Sequence, residues 1–203
     1  MNIQTTGANG APLSTHKPSS AEIARHYRLS ANGAVAQAFA RAGIPVFPVR
    51  ETGPRLKQPY TEHGHHDATT DELAVRAWWS RWPGALVGIP TGPGSGLWVL
   101  DVDGPAGHRS LGELLCRLGL ETVRDLARVV VQTPGGGLHL YFRLQPGERP
   151  RNRAKDIGAG LDTRGVTADG SPAGYVIAPG STLPDGRSYR LIDALPETFG
   201  EAA

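Results

Sequence analysis

The residues with the clearest chemical potential are two acids, Asp101 and Asp103, at the end of the apolar run Leu97–Asp103 (LWVLDVD). Side chains alternate faces along a strand, so two acids one residue apart point the same way, about 6–7 Å apart along the strand. Two carboxylates on one face repel unless a cation lies between them. Gly104-Pro105 ends the strand at that point and leaves the pair at a sheet rim. A Mg²⁺ or Mn²⁺ site needs such hard oxygen ligands with room for water and phosphate; solvated strand-end acids are the alternative. A third acid, Asp162, sits in a Gly-flanked strand with Arg164 two residues on. The pair reads as part of a ligand site or as a plain ion pair. His139 follows three glycines, Gly135 to Gly137. Alternation puts Leu138, Leu140 and Phe142 on one face and His139 and Tyr141 on the other. His139 is therefore either an exposed strand histidine or a hydrogen-bond donor to a phosphate oxygen.

Other segments carry weaker signals. Thr91–Gly96 (TGPGSG) lacks the Gly-Lys-Ser/Thr ending of a P-loop and leads into a strand, which also excludes a dinucleotide fingerprint. Its backbone N–H groups could still cup an anion. His63-Gly64-His65-His66-Asp67 has metal-like residues but reads as a solvated loop, because no matching ligands stand at zinc-site spacing. Arg149, Arg151, Arg153 and Lys155 place four cations in seven residues, a solvated loop or a contact to phosphate or DNA. Trp78, Trp79 and Trp82 lie at helical spacing and read as core. Ser181 lacks a nucleophile elbow and a histidine partner, so a serine hydrolase is unsupported.

The elements that must position these residues follow from periodicity and punctuation. Residues 1–19 form a Thr/Ser/Gly/Asn/Pro-rich arm with no periodicity, predicted to be disordered, and 20–203 form one domain. A helical pattern starts at Ser20, with Ser19 or Ser20 as its cap, breaks at Asn32-Gly33 and ends at Gly43. Ile44–Val49 reads as an edge strand because of its two prolines. A polar loop, Arg50–Thr70, leads to a helix opened by Thr70-Asp71-Glu72 and ending near Trp82. Leu86–Ile89 and Leu97–Asp103 are strands. Ser110 with Glu113 reads as the capping box of a helix over 110–120. Val129–Thr133 and Leu138–Leu144 form a hairpin, and Leu161–Arg164, Tyr175–Ala178 and Ser188–Leu191 are short strands. Helices come first and an antiparallel-rich sheet follows, so the fold class is α+β.

Composition closes off other classes. Of 203 residues, 27 are Gly and 17 Pro, too many for a helical bundle or coiled coil. Twenty-three of these 44 fall in the segments 83–107, 134–137 and 158–180, which hold or flank Asp101, Asp103, His139 and Asp162. The single Cys excludes an internal disulfide. No run of about 18 apolar residues exists, so no membrane partner is expected. The N-terminal residues lack the apolar core of a signal peptide, and a cytoplasmic location is expected. Net charge is only +2, so nucleic-acid binding would need a local patch.

Taken in order, Lys57-x-Pro59, His66–Asp71, Trp78-Trp79, Gly88-Ile89-x-Thr91-Gly92, Ser95–Asp103, Thr133–Phe142, Gly160-Leu161-Asp162, Tyr175–Ser181 and Tyr189 form a pattern. It resembles the bifunctional DNA primase/polymerase (prim-pol) domain of the archaeo-eukaryotic primase superfamily, from about Ala34 to Leu191. The resemblance implies an RRM-like antiparallel catalytic sheet, a smaller α/β module and an N-terminal helical segment. It implies template-directed nucleotidyl transfer by a two-metal mechanism, in replication of a plasmid, phage or other mobile element. In that family the strand-end pair and the later acid bind the catalytic Mg²⁺ or Mn²⁺, which carries over to Asp101, Asp103 and Asp162. The histidine after the glycines, here His139, contacts the incoming nucleotide. Arg164, Lys57, Thr91 and Ser181 join it as candidate nucleotide-binding residues, and the Arg149–Lys155 cations as the nucleic-acid contact. The implied partners are a DNA template and primer, a dNTP or NTP, and a replicative helicase. Two other classes compete: an inactive RRM-like nucleic-acid-binding module, and a nicking nuclease. The nuclease needs a second histidine beside an apolar residue on the His139 strand, and none is there.

Overall fold

The computed structural model describes residues 30–151, 153–154 and 157–194. The expected arm over 1–19, the helix start at Ser20 and Lys155 lie outside them. The first described helix, α1 (Ala31–Arg41), is capped by Ser30, whose Oγ accepts from the Gly33 N–H at 3.1 Å. The break expected at Asn32-Gly33 falls where this helix begins, and the first half of the expected pattern lies outside the described residues. Both residues lie in its first turn, and Asn32 bonds outward: Nδ2 donates to Gly84 O and Thr182 O, and Oδ1 accepts from Thr182 N–H. Gly43, at φ +75°, follows the helix as expected.

Strand β1 (Phe47–Val49) is an edge strand, as its prolines require. A 3₁₀ turn at Gly64–Asp67 precedes helix α2 (Glu72–Arg81), which Asp71 caps by accepting from the Leu73 N–H at 2.8 Å. Val75 and Trp79 are the buried residues of α2, and Trp79 Nε1–H donates to Ala85 O. Trp82, just after it, stacks on Tyr60, while Leu73 in its first turn is 77 % exposed. Strand β2 (Leu86–Pro90) is wholly buried and lies between β1 and β8 (Tyr175–Ile177) in a three-stranded antiparallel sheet.

The second sheet has six antiparallel strands. They are β3 (Leu97–Val102), β4 (Val129–Gln132), β5 (Leu138–Arg143), β6 (Arg153–Ala154), β7 (Leu161–Arg164) and β9 (Arg190–Ala194), in the order β6-β7-β3-β5-β4-β9. Numbered by appearance, its inner four run 4-1-3-2, the order of the expected RRM-like sheet. Helix α3 (Gly104–Leu118) links the first and second of them, followed by the short α4 (Val123–Leu126). Between the third and fourth, the described residues form loops and β6 rather than a second helix.

Helix α3 starts six residues before the predicted cap. Asp103 is its N-cap position and Pro105 lies in its first turn, where the missing N–H costs nothing. Ser110 lies inside the helix and its Oγ donates to Ala159 O at 2.9 Å. The six-stranded sheet then divides the core by strand alternation. Leu100, Val102, Val130, Leu140 and Leu161 face Leu111, with Leu114, Leu115, Val123 and Leu126 packed around them. Val99, Val129, Val131 and Tyr141 face the other way, into a core shared with the three-stranded sheet, α1 and α2.

Where α3 begins, backbone packs on backbone. The Asp103 N–H donates to Gly160 O at 2.8 Å. Gly160 has φ +72°, and a Cβ there would stand 2.6 Å from Gly107 N and 2.7 Å from Asp103 O. Gly160→Ala is expected to cost more than about 2 kcal/mol. Gly112→Ala, in open space on the same helix, should gain about 0.5–1 kcal/mol. Urea unfolding of both variants checks the contrast.

Candidate active site

The central strand β3 pairs with β5 on one side and β7 on the other, and both ladders meet at Asp101. Asp101 stands opposite His139 in β5 and opposite Asp162 in β7. Register therefore puts Asp162, Asp101 and His139 in one row across three strands. All three point away from the helix-covered face, because Leu100, Val102, Leu140 and Leu161 beside them point into it. Arg164 is on the same face as Asp162, and one of its amino groups lies 3.3 Å from both Asp101 Oδ2 and Asp162 Oδ2.

The row faces a cleft of about 370 Å³, lined by Lys57, Asp101, His139, Arg164, Ala173–Ile177 and Tyr189. One wall is the six-stranded sheet and the other is β8 with the chain that enters it. Lys57 Nζ lies 5.9 Å from the Tyr189 ring centre. Tyr141, beneath the row, is buried and donates its hydroxyl to Ile177 O, tying the two sheets together under the cleft.

Electrostatics mark the same place. Burial raises the Asp101 carboxyl above its ordinary value despite the Arg164 guanidinium beside it. Burial first, then the Asp101 charge, raises Asp103. His139 is pushed down to about 4, mainly by burial and then by the Lys57 charge, so it is neutral at pH 7. Its Nε2 lies 3.5 Å from Asp101 Oδ1, and its Nδ1 is buried with no hydrogen-bond partner among the described residues. A neutral imidazole with an unpaired ring nitrogen in a cleft can offer one N–H to a ligand.

Asp103 sits one step beyond the row, exposed at the sheet rim, with its carboxylate near Gly137. A Cβ at Gly137 would fall on the Val102 carbonyl, so only glycine lets the β4–β5 turn close over the rim there. Among the described residues, no three His, Cys, Asp or Glu side chains converge on one point that could hold an ion. Arg164 occupies the space between Asp101 and Asp162. The donor set nevertheless suits a hard cation: its oxygens come from carboxylates, and two of these, Asp101 and Asp103, hold protons more tightly than usual because burial disfavours their charged form.

The other candidates lie elsewhere. Thr91 is buried and its hydroxyl donates to Gly165 O; Ser181 is buried and its Oγ accepts from Val87 N–H. Neither lines the cleft, and their hydroxyls hold backbone. Arg149 and Arg151 are exposed, Arg149 against Gly170 and Arg151 bridged to Val166 next to β7. Arg153 is in β6, and nothing is described of its side chain. In the His63–Asp67 segment Asp67 accepts from the backbone and ring of His63, while the His65 ring centre lies 6.0 Å from that of Tyr175. Strand patterning missed Tyr175 as a lining residue, although it begins a strand entering the glycine-rich wall.

The raised Asp101 carboxyl has a consequence for stability. Folding favours its protonated form, so that contribution is present at low pH and lost as pH rises through the folded value. Asp101→Asn cannot ionise and retains it. The variant should melt higher than the parent at pH 7 in the absence of divalent ions, with the difference shrinking toward about pH 4. Melting curves at the two pH values read the effect.

A solved structure described as the polymerase domain from Mycobacterium tuberculosis Ligase D in complex with DNA is 20 % identical to this chain. The match covers 80 % of this chain and 76 % of that one, with a TM-score of 0.36. No curated protein matches. The family described as bifunctional DNA primase/polymerase, N-terminal, matches residues 36–202 and so takes in every element described above except the first half of α1. By that match the chain belongs to the bifunctional DNA primase/polymerase family.

Proposed function

We propose that the cleft is the active site of a template-directed nucleotidyl transferase that extends a primer from a nucleoside triphosphate. The observation that carries this is the row Asp162–Asp101–His139, set by strand register beneath a cleft that also holds Lys57 and Arg164. Asp101, Asp103 and Asp162 would hold divalent ions, Mg²⁺ or Mn²⁺. Two such ions, when bound, neutralise triphosphate charge and favour ionisation of the primer 3′-hydroxyl.

The chain's own groups do the rest. In the transfer, a bond forms from the 3′-oxygen to the α-phosphorus and the bond to pyrophosphate breaks. Lys57 and Arg164 offset the negative charge that gathers on the leaving phosphates. His139, neutral and buried, donates one N–H to a phosphate oxygen without adding charge. Tyr189 and the Ala173–Ile177 wall exclude water on the opposite side, which strengthens each of these contacts. Arg149 and Arg151, on the surface past the β7 edge, suit the phosphates of a template strand.

Primer extension with a primed template, dNTPs and Mg²⁺ or Mn²⁺ tests the reading. Asp101→Ala with Asp103→Ala should lower the rate at least ~100-fold. Extension that survives the double substitution would sink the assignment, and DNA binding with no extension under any metal would favour a binding module. Arg149→Ala and Arg151→Ala should each weaken DNA binding alike across sequences. Each should also reduce the slope of log affinity against log salt by about one.

A further inference from the structure

Among the described residues, Lys57 is the one non-glycine with a backbone in the left-handed region, at φ +65°. A side chain there carries strain, and such strain persists only where surrounding structure holds it. Besides its own Gln58 N–H to Arg55 O bond, three hydrogen bonds to main-chain atoms hold this turn. The Lys57 N–H donates to Arg50 O at 2.8 Å, and the Arg50 N–H donates to Gln58 O at 2.8 Å. The third comes from far along the chain: the Tyr175 hydroxyl donates to Lys57 O at 2.6 Å, across 118 residues. Tyr175 is itself fixed, as the first residue of β8 paired with Pro90, with its ring edge-on to Phe47 at 5.1 Å. Both Tyr175 and Lys57 line the cleft, and the Lys57 charge acts on Asp101, Asp103, His139 and Tyr189.

We infer that Tyr175 is a positioning residue for nucleotide binding: its hydroxyl holds the strained Lys57 turn and thereby aims the Lys57 ammonium at the triphosphate. The inference rests on the assignment of Lys57 to phosphate binding made above. It gives Tyr175 a role distinct from the wall its ring forms. Loss of the hydroxyl alone frees the Lys57 turn from the β8 wall and lets the ammonium leave the cleft. The acids and His139, on the other sheet, stay in place.

Steady-state primer extension at varied dNTP, with the full chain, separates the two claims. Lys57→Ala should raise KM for dNTP about tenfold, as loss of one charge-assisted contact. Tyr175→Phe, which retains the ring, should raise KM about three- to tenfold and leave kcat within about twofold. In the Lys57→Ala background, Tyr175→Phe should change KM by less than about 1.5-fold, because the group it aims is gone. Melting curves add a readout independent of activity. Lys57→Gly removes the strain, so Tyr175→Phe should lower Tm less in that background than in the parent. An unchanged KM in Lys57→Ala would remove Lys57 from phosphate binding and the inference with it. A strong Lys57 effect with a silent Tyr175→Phe, or with additive effects of the two, would overturn the inference alone. So would a Tyr175→Phe protein that does not fold, since the hydroxyl would then serve the fold as a whole.

Discussion

The pairing of β3 with two antiparallel neighbours at Asp101 is the constraint on which the rest depends. A strand presents alternate residues to opposite faces, so a slip of one residue in either ladder would turn His139 or Asp162 into the helix-packed core. The apolar residues between the polar ones prevent that slip. Leu100, Val102, Leu140 and Leu161 must meet α3 and its neighbours, and in doing so they force Asp101, His139 and Asp162 onto the opposite face. The row is thus placed by hydrophobic burial on the face it does not occupy.

That placement leaves charges on a partly enclosed face, where an unpaired carboxylate is costly. Arg164 eases the cost by bridging Asp101 and Asp162, yet burial still dominates at Asp101 and raises its proton affinity. His139 responds in the opposite sense and stays neutral. A face of this kind is poor for stability and apt for holding cations and phosphates, the usual opposition between function and stability. The smaller sheet completes it. It brings Tyr175 and the Lys57 turn across the cleft, while Tyr141 and Ile177 bond the two sheets at its base.

Glycine at the rim serves the same end. Gly107 and Gly160 bring α3 and β7 within backbone contact, and Gly137 lets the hairpin turn close over Asp103. The excess of glycine and proline, which by itself indicates only a loop-rich globule, is here concentrated where backbone must approach backbone around the acids.

Much of this was legible from residue order. The α+β class, the strand Leu97–Val102, the hairpin around the three glycines, the edge position of β1 and the Asp71 cap follow from local pattern and punctuation. So does the shared face of His139 and Tyr141, since alternation is local. What remained hidden was set by contacts distant in sequence. Ser110 and Glu113 mimic a capping box, but Asp103 and Pro105 start the helix because α3 must pack against Gly160. Asn32-Gly33 marks where α1 begins, but that Asn32 is held by Gly84 and Thr182 is set by chain far from it in sequence. Thr91 and Ser181 are polar residues in glycine-rich loops, and only folding shows their hydroxyls bonded to backbone. The sequence by itself determined which residues have the chemistry of the site and which face of their own strand each takes. Only the tertiary structure decided that three strands align those faces in one row, and that Tyr175 meets Lys57 across the cleft. Register and long-range hydrogen bonds join segments that no local periodicity relates.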